Sequence, residues 1–195
     1  MKKQNEKEIR NIGDITSANN ESRKVEGYAL VFNTESEDLG FYETISQSAI
    51  NEETIRKSDV MCLLDHSKNR GILARSRYGK GSLKLSIDEK GLKYEFDAPR
   101  TSLGDELLEM LRRGDINQSS FAFSVATDGD KWEKRDNKYY RTITKIERLF
   151  DVSPVYTPAY TSTSVGCRNF DDFKKKIEYI EQLEKEIQDL NFEIK

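Results

Sequence analysis

The chain is short of the residues that most often carry metal and redox chemistry. Its 195 residues include two cysteines and one histidine. Cys62 and Cys167 stand far apart with no C-x-x-C spacing, and a structural zinc site wants four nitrogen or sulfur ligands. The cysteines therefore read as small buried apolar residues in a chain kept in a reducing cytoplasm. No metal and no cofactor is expected. An excess of positive charge is also missing. The formal net charge is −3, which argues against nucleic acid as a partner, since such binders usually show a basic surface. No apolar run approaches the roughly 20 residues that span a bilayer, so no membrane contact is expected. The charged start, Met1-Lys2-Lys3-Gln4-Asn5-Glu6, leads into no apolar signal region. There is no G-x-S-x-G elbow either, which weakens an α/β-hydrolase reading. The length suits one domain of ordinary size. Hydrophobic residues are 35% and charged residues 34%, enough for one core beneath a well-solvated surface.

What the chain does contain is mostly strand-like. Residues 1–24 are polar, and within them only Glu8-Ile9-Arg10-Asn11-Ile12 has strand character. The rest reads as a flexible arm able to order on assembly. Val25 through Phe32 reads as a buried strand, Phe41 through Ile45 as a short one, and 49–57 as a short helix. Val60 through Leu64 is an apolar run of strand length with Asp65-His66 at its exit, and Gly71 through Ala74 is a second run. The clearest hairpin alternates Leu83, Leu85 and Ile87 on the way out and Leu92, Tyr94 and Phe96 on the way back, around Asp88-Glu89-Lys90-Gly91. Ser102 reads as the cap of a helix with a stripe of Leu103, Leu107, Leu108 and Leu111, stopped by Arg112-Arg113-Gly114. Further strands follow at 119–125, in a hairpin at 131–146, and at Leu149 through Val155. After a Thr/Ser-rich linker, residues 167–195 read as an amphipathic helix. Ile180, Leu183, Ile187, Leu190 and Ile194 are spaced as heptad a and d positions, a candidate contact with a partner or a second copy of the chain. Its alternative is a helix packed on its own domain. The expectation is a mainly β, α+β fold. It is a small antiparallel barrel or sandwich with flanking helices over residues 25–166, between a polar arm and a C-terminal helix.

The chemistry centres on Gln118-Ser119-Ser120-Phe121-Ala122-Phe123-Ser124-Val125. A serine hydroxyl is a poor nucleophile at neutral pH unless a base takes its proton, and imidazole suits that task. A serine hydrolase with a histidine base would have to use His66, because the chain holds no other. Alternation places Ser119 with Phe121 and Phe123, and Ser120 with Ala122 and Ser124. The large apolar face belongs to the core, so Ser120 is the better nucleophile and Ser119 the alternative. A third group should orient the imidazole. Asp65 adjoins His66, but in extended chain neighbouring side chains diverge. Asp151 sits on the polar face of its strand, opposite to Phe150 and Val152. The other reading of Asp151 is a solvated or ion-paired carboxylate.

Five stretches together carry a resemblance. They are Val25-Glu26-Gly27-Tyr28-Ala29-Leu30-Val31-Phe32-Asn33, Phe41-Tyr42-Glu43-Thr44-Ile45, Leu64-Asp65-His66, Ser120-Phe121-Ala122-Phe123, and Asp151-Val152-Ser153-Pro154-Val155 with Pro158-Ala159-Tyr160. In order and wording they resemble the prohead (procapsid maturation) serine proteases of tailed bacteriophages, over residues 8–165. That family is similar in fold to the herpesvirus assemblins, a β-barrel flanked by helices. The resemblance implies His66 as base, Ser120 as nucleophile and Asp151 as orienting acid. Ala122 stands where many members have Gly, and Asp151 where Glu is common, which shortens its reach by one methylene. It also implies an endopeptidase in the host bacterial cytoplasm, within the assembling procapsid. Its substrates would be scaffold or the N-terminal segment of the major capsid protein, or both, with the chain itself as a further candidate. Competing readings are a non-catalytic assembly or scaffolding protein that keeps the barrel, and an unrelated serine esterase.

Overall fold

Strands dominate the first of the two units into which the chain divides, residues 1–161; the computed structural model describes residues 7–16, 23–156 and 164–193. The strands are β1 (Glu8–Thr16), β2 (Lys24–Val31), β3 (Tyr42–Ile45), β4 (Asp59–Cys62), β5 (Ala74–Arg77), β6 (Lys80–Gly81), β7 (Lys84–Ile87), β8 (Gly91–Asp97), β9 (Gln118–Val125), β10 (Asp130–Arg135), β11 (Lys138–Ile143) and β12 (Ile146–Val155). Helix α1 (Glu52–Lys57) precedes β4, and α2 (Ser102–Arg113) precedes β9. Nine strands pair in the order β6-β5-β4-β12-β9-β1-β2-β8-β7, and β10-β11-β3 form a second sheet. Pairing is antiparallel except between β12 and β4 and between β11 and β3.

The mainly β architecture with flanking helices is as the sequence implies, but the expected barrel is not closed. Its end strands, β6 and β7, do not pair with each other. Strand β6 contributes only Lys80 and Gly81, too short a ladder to seal a sheet. Other differences are local. The cap of α2 is Thr101, whose hydroxyl accepts the Gly104 N–H at 3.3 Å, because Thr101 is still extended while Ser102 is already helical. The run Gly71–Ala74 precedes a strand rather than forming one. Gly71, at φ 98°, closes a 3₁₀ turn over Lys68–Arg70, and β5 starts at Ala74. The two hairpins follow their turn chemistry. Asp88 Oδ1 accepts the N–H groups of Lys90 and Gly91. Asp136 and Asn137, both at positive φ, make the two-residue loop between β10 and β11.

The strand-like stretch Glu8 through Ile12 is part of β1, which runs on to Thr16, and its place in the sheet is what the sequence did not indicate. Strand β1 is central, with β9 on one side and β2 on the other. Residues 1–6 and 17–22 of the arm, and the linker residues 157–163, lie outside the described residues. Polar β1 can occupy the middle of a sheet because Glu8 and Arg10 are matched by opposite charges. Glu8, Arg10, Glu43 and Arg141 are all buried, with at most 4% exposure. Arg10 grips Glu43 at 2.5 and 2.9 Å and Glu8 at 2.8 Å. Arg141 holds Glu8 at 2.6 and 2.9 Å, Glu43 at 2.9 Å and Asp130 at 2.7 Å. Burial raises the Glu8 carboxyl, but the hydrogen bond and charge of Arg141, with the charge of Arg10, outweigh it and leave Glu8 below its ordinary value. The cluster joins β1 of the large sheet to β3, β10 and β11 of the small one.

The second unit, residues 162–195, contains helix α3 (Ser164–Glu193), close to the expected amphipathic segment. Ile180, Leu183 and Ile187 are exposed along it. The side chain of Cys167 lies outside the described residues. No helix among the described residues is long and apolar enough to cross a membrane.

Removing one cation from the buried cluster strands its carboxylates. Arg141→Met should cost about 3–5 kcal/mol in chemical denaturation. Glu8 is held below its unfolded value of about 4.3, so its contribution is present above that pH and fades as pH falls through the folded value. Stability measured from pH 6 downward should therefore drop less steeply in Glu8→Gln than in wild type.

Candidate active site

Strand β9 lies between β12 and β1 and separates two environments. Phe121 and Phe123 point into the core and stack at 4.7 Å. Ser119 shares their face, and its hydroxyl lies 3.2 Å from the Tyr94 hydroxyl. Ser120 and Ala122 face the other way, as the alternation requires. Across the β9–β12 ladder Ser120 pairs with Ser153 and Ala122 with Asp151. Paired residues share a face, so the Asp151 carboxylate and the Ser120 hydroxyl lie diagonally on one surface. The methyl of Ala122 leaves room above that diagonal.

An imidazole fills the room. Strand β4 runs parallel to β12, Met61 beside Asp151 and Cys62 beside Val152. Pairing continues past the strand end through Leu63 N–H to Val152 O and Asp65 N–H to Pro154 O. The chain then turns through two left-handed residues, Asp65 at φ 53° and His66 at φ 55°. Asp and His tolerate that region better than most residues, though such positions cost on the order of 1–3 kcal/mol each. The turn sends Asp65 to solvent and brings His66 back over the sheet. His66 Nε2 lies 2.7 Å from Ser120 Oγ, and Nδ1 lies 2.5 Å from Asp151 Oδ1. The three residues singled out in the sequence thus meet, although 85 residues separate His66 from Asp151. Asp65 diverges because of the left-handed turn, not because the chain is extended there.

Asp151 is buried. Burial pushes its carboxyl up, but the hydrogen bond and charge of His66, and then those of Lys7, hold it below the ordinary carboxylate value. It is therefore an ionised acceptor at neutral pH. A carboxylate can only accept, so Nδ1 carries the imidazole hydrogen. In the neutral ring Nε2 then presents a lone pair to Ser120. The Ser120 hydroxyl has a second acceptor, the Arg10 carbonyl at 2.8 Å. One hydrogen serves two acceptors.

Three contributors were not identified from sequence. Ser153 Oγ donates to Asp151 Oδ1 at 2.9 Å; its place two residues along the same face was the available signal. Lys7 Nζ reaches Asp151 Oδ2 at 2.8 Å, and the Arg10 carbonyl meets Ser120. Neither had a signal, because both depend on the position of β1. The loop after His66 is tied down by Arg70, which pairs with Glu106 of α2 at 2.6 Å and with the Tyr156 hydroxyl. Cys62 is buried and its thiol is pushed up by burial, the state of an inert structural cysteine. Among the described residues no cluster of three or more His, Cys, Asp or Glu side chains is placed to hold a metal ion.

The sequence profile of the caudovirus prohead serine proteases matches residues 8–176. In structure the chain is similar to the capsid assembly protease of bacteriophage T4, with 13% identity, a TM-score of 0.47, and coverage of 78% of this chain and 98% of that one. No curated protein matches the chain in sequence.

The two serines of β9 should separate in stability measurements. Ser119→Ala leaves the buried Tyr94 hydroxyl without its partner and should cost about 1–3 kcal/mol. The double variant Ser119→Ala/Tyr94→Phe should recover part of that loss in a denaturation cycle.

Proposed function

Because the chain belongs to the caudovirus prohead serine protease family, we propose that it is a maturation endopeptidase with Ser120 as nucleophile, His66 as general base and Asp151 as orienting acid. The observation that carries the reading is the unbroken chain of short contacts from Ser120 Oγ through His66 to Asp151, 2.7 and 2.5 Å. As Ser120 Oγ attacks the scissile carbonyl, its proton passes to Nε2. The Asp151 carboxylate holds the imidazolium that forms. That proton then goes to the leaving amine, and a water molecule repeats the sequence on the acyl-enzyme. Asp151 remains ionised throughout.

The substrates are scaffold or segments of the major capsid protein, or both, with the chain itself as a further candidate, inside the assembling procapsid in the host cytoplasm. The exposed stripe of α3, with Ile180, Leu183 and Ile187, is a handle for scaffold or for a second copy of the chain.

Co-expression with the capsid protein, read by mass spectrometry of the products, tests the assignment. Ser120→Ala should leave both capsid protein and protease chain uncleaved. Cleavage that persists in Ser120→Ala and stops in Ser119→Ala would move the nucleophile by one residue. Normal processing in both variants would leave a non-catalytic assembly role.

A further inference from the structure

We propose that Lys7 is a positioning residue for Asp151, an inference that rests on the active-site reading above. The Asp151 carboxylate is almost fully enclosed, with 1% of its side chain exposed, whereas the Lys7 side chain is 37% exposed. The lysine reaches in from the rim and sets its ammonium on Oδ2 at 2.8 Å. The other oxygen, Oδ1, takes His66 Nδ1 and Ser153 Oγ. Among the described residues the donors are thus divided, two on one oxygen and one on the other.

That division fixes the plane of the carboxylate. The two oxygens are chemically equivalent, and only the surrounding donors decide which faces the imidazole. Without Lys7, Oδ2 becomes a buried anionic oxygen lacking its donor, which costs more than the hydrogen bond was worth. The carboxylate relieves that cost by turning toward another donor or by taking up a proton. Either change weakens the Nδ1–H···Oδ1 bond that holds the ring. An exposed ion pair would contribute little, but here one partner is sealed from water. The donor has to be charged, because Oδ2 belongs to a buried carboxylate and a neutral amide compensates such an oxygen far less than an ammonium does.

The lysine is delivered by the fold. Glu8, the next residue, and Arg10 are locked in the buried ion cluster. Lys7 therefore stands on an anchored strand end.

The single histidine of the chain makes the test direct. In full-length protein labelled with ¹⁵N-histidine, one imidazole is observed. Wild type should show a strongly deshielded Nδ1–H proton and the Nδ1–H tautomer. Lys7→Met should lose both while keeping a folded amide fingerprint, and Lys7→Arg should retain both. Cleavage of the capsid protein by Lys7→Met should slow by up to about 100-fold in kcat, with KM little changed, and Lys7→Arg should restore most of the rate. Lys7→Gln, which keeps polarity without charge, should behave like Lys7→Met. A Lys7→Met protein that keeps the deshielded proton and the wild-type kcat overturns the proposal. So does a loss of rate that only follows a loss of thermal stability, or a Lys7→Arg protein that restores neither signal. The resonance does not depend on turnover, so failure of the positioning role stays distinct from failure of the Ser120 assignment, which Ser120→Ala reads by itself.

Discussion

Two guanidinium groups buried among carboxylates are the constraint on which the architecture depends. Arg10 and Arg141 lie inside the protein with Glu8 and Glu43, and no member can be left without its partners. The set closes only if β1, β3 and β11 are all in place. It thus joins the large sheet to the small one through interactions that work in one register. A buried cluster of this kind is a poor way to add net stability, since apolar residues of similar volume would often do as well. Its value is specification. Strand β1 has little apolar pattern to choose its register, and a slip of one residue would turn Glu8 and Arg10 to the opposite face.

With β1 fixed, the environment of Ser120 is fixed as well. Strand β9 is flanked on both sides, by β12 and β1, and its two faces have separate work. Phe121 and Phe123 give the strand its packing, while the small side chains of Ser120 and Ala122 leave space for the His66 ring. The hydroxyl between the Arg10 carbonyl and Nε2 has alternative acceptors for its one hydrogen. The backbone of β1 thus competes with the imidazole for the proton that the proposed reaction has to move.

Much of this was legible in the sequence because it is local. The hairpins read from alternation and turn residues, α2 from its leucine stripe and Gly114, and the opposite facing of Ser119 and Ser120 from period-2 geometry. The facing of Asp151 away from Val152 was legible for the same reason, although an irregularity between Leu149 and Asp151 puts Leu149 rather than Phe150 in the core. What escaped depends on distant partners. Glu8 through Ile12 read as strand-like, but nothing local shows that Glu8 and Arg10 are buried; Arg141, 133 residues from Glu8, is what lets β1 take a central place rather than an edge of the arm. The open sheet escaped because closure depends on how the ends β6 and β7 meet, and Lys80-Gly81 carries no strand pattern. The left-handed pair Asp65-His66 escaped because neither residue demands that conformation. The pairing with β12 imposes it.

The site groups come from four successive strands of one sheet. The exit of β4 supplies His66, β12 supplies Asp151, β9 supplies Ser120, and the start of β1 supplies Lys7, in the order in which those strands lie side by side. His66 and Asp151 meet across one strand step, whereas Ser120–His66 and Lys7–Asp151 each reach across an intervening strand and so depend on two ladders. A register error in any ladder moves a group by about 3.3 Å, more than the tolerance of a hydrogen bond. The contacts at Ser120, His66, Asp151 and Lys7 coexist only when three ladders are correct together, one of them parallel and one formed by the ion-anchored β1. The same buried charges that specify the fold therefore decide whether Lys7 and the Arg10 carbonyl join the chain of contacts. A sequence with one histidine has no second base to form it elsewhere.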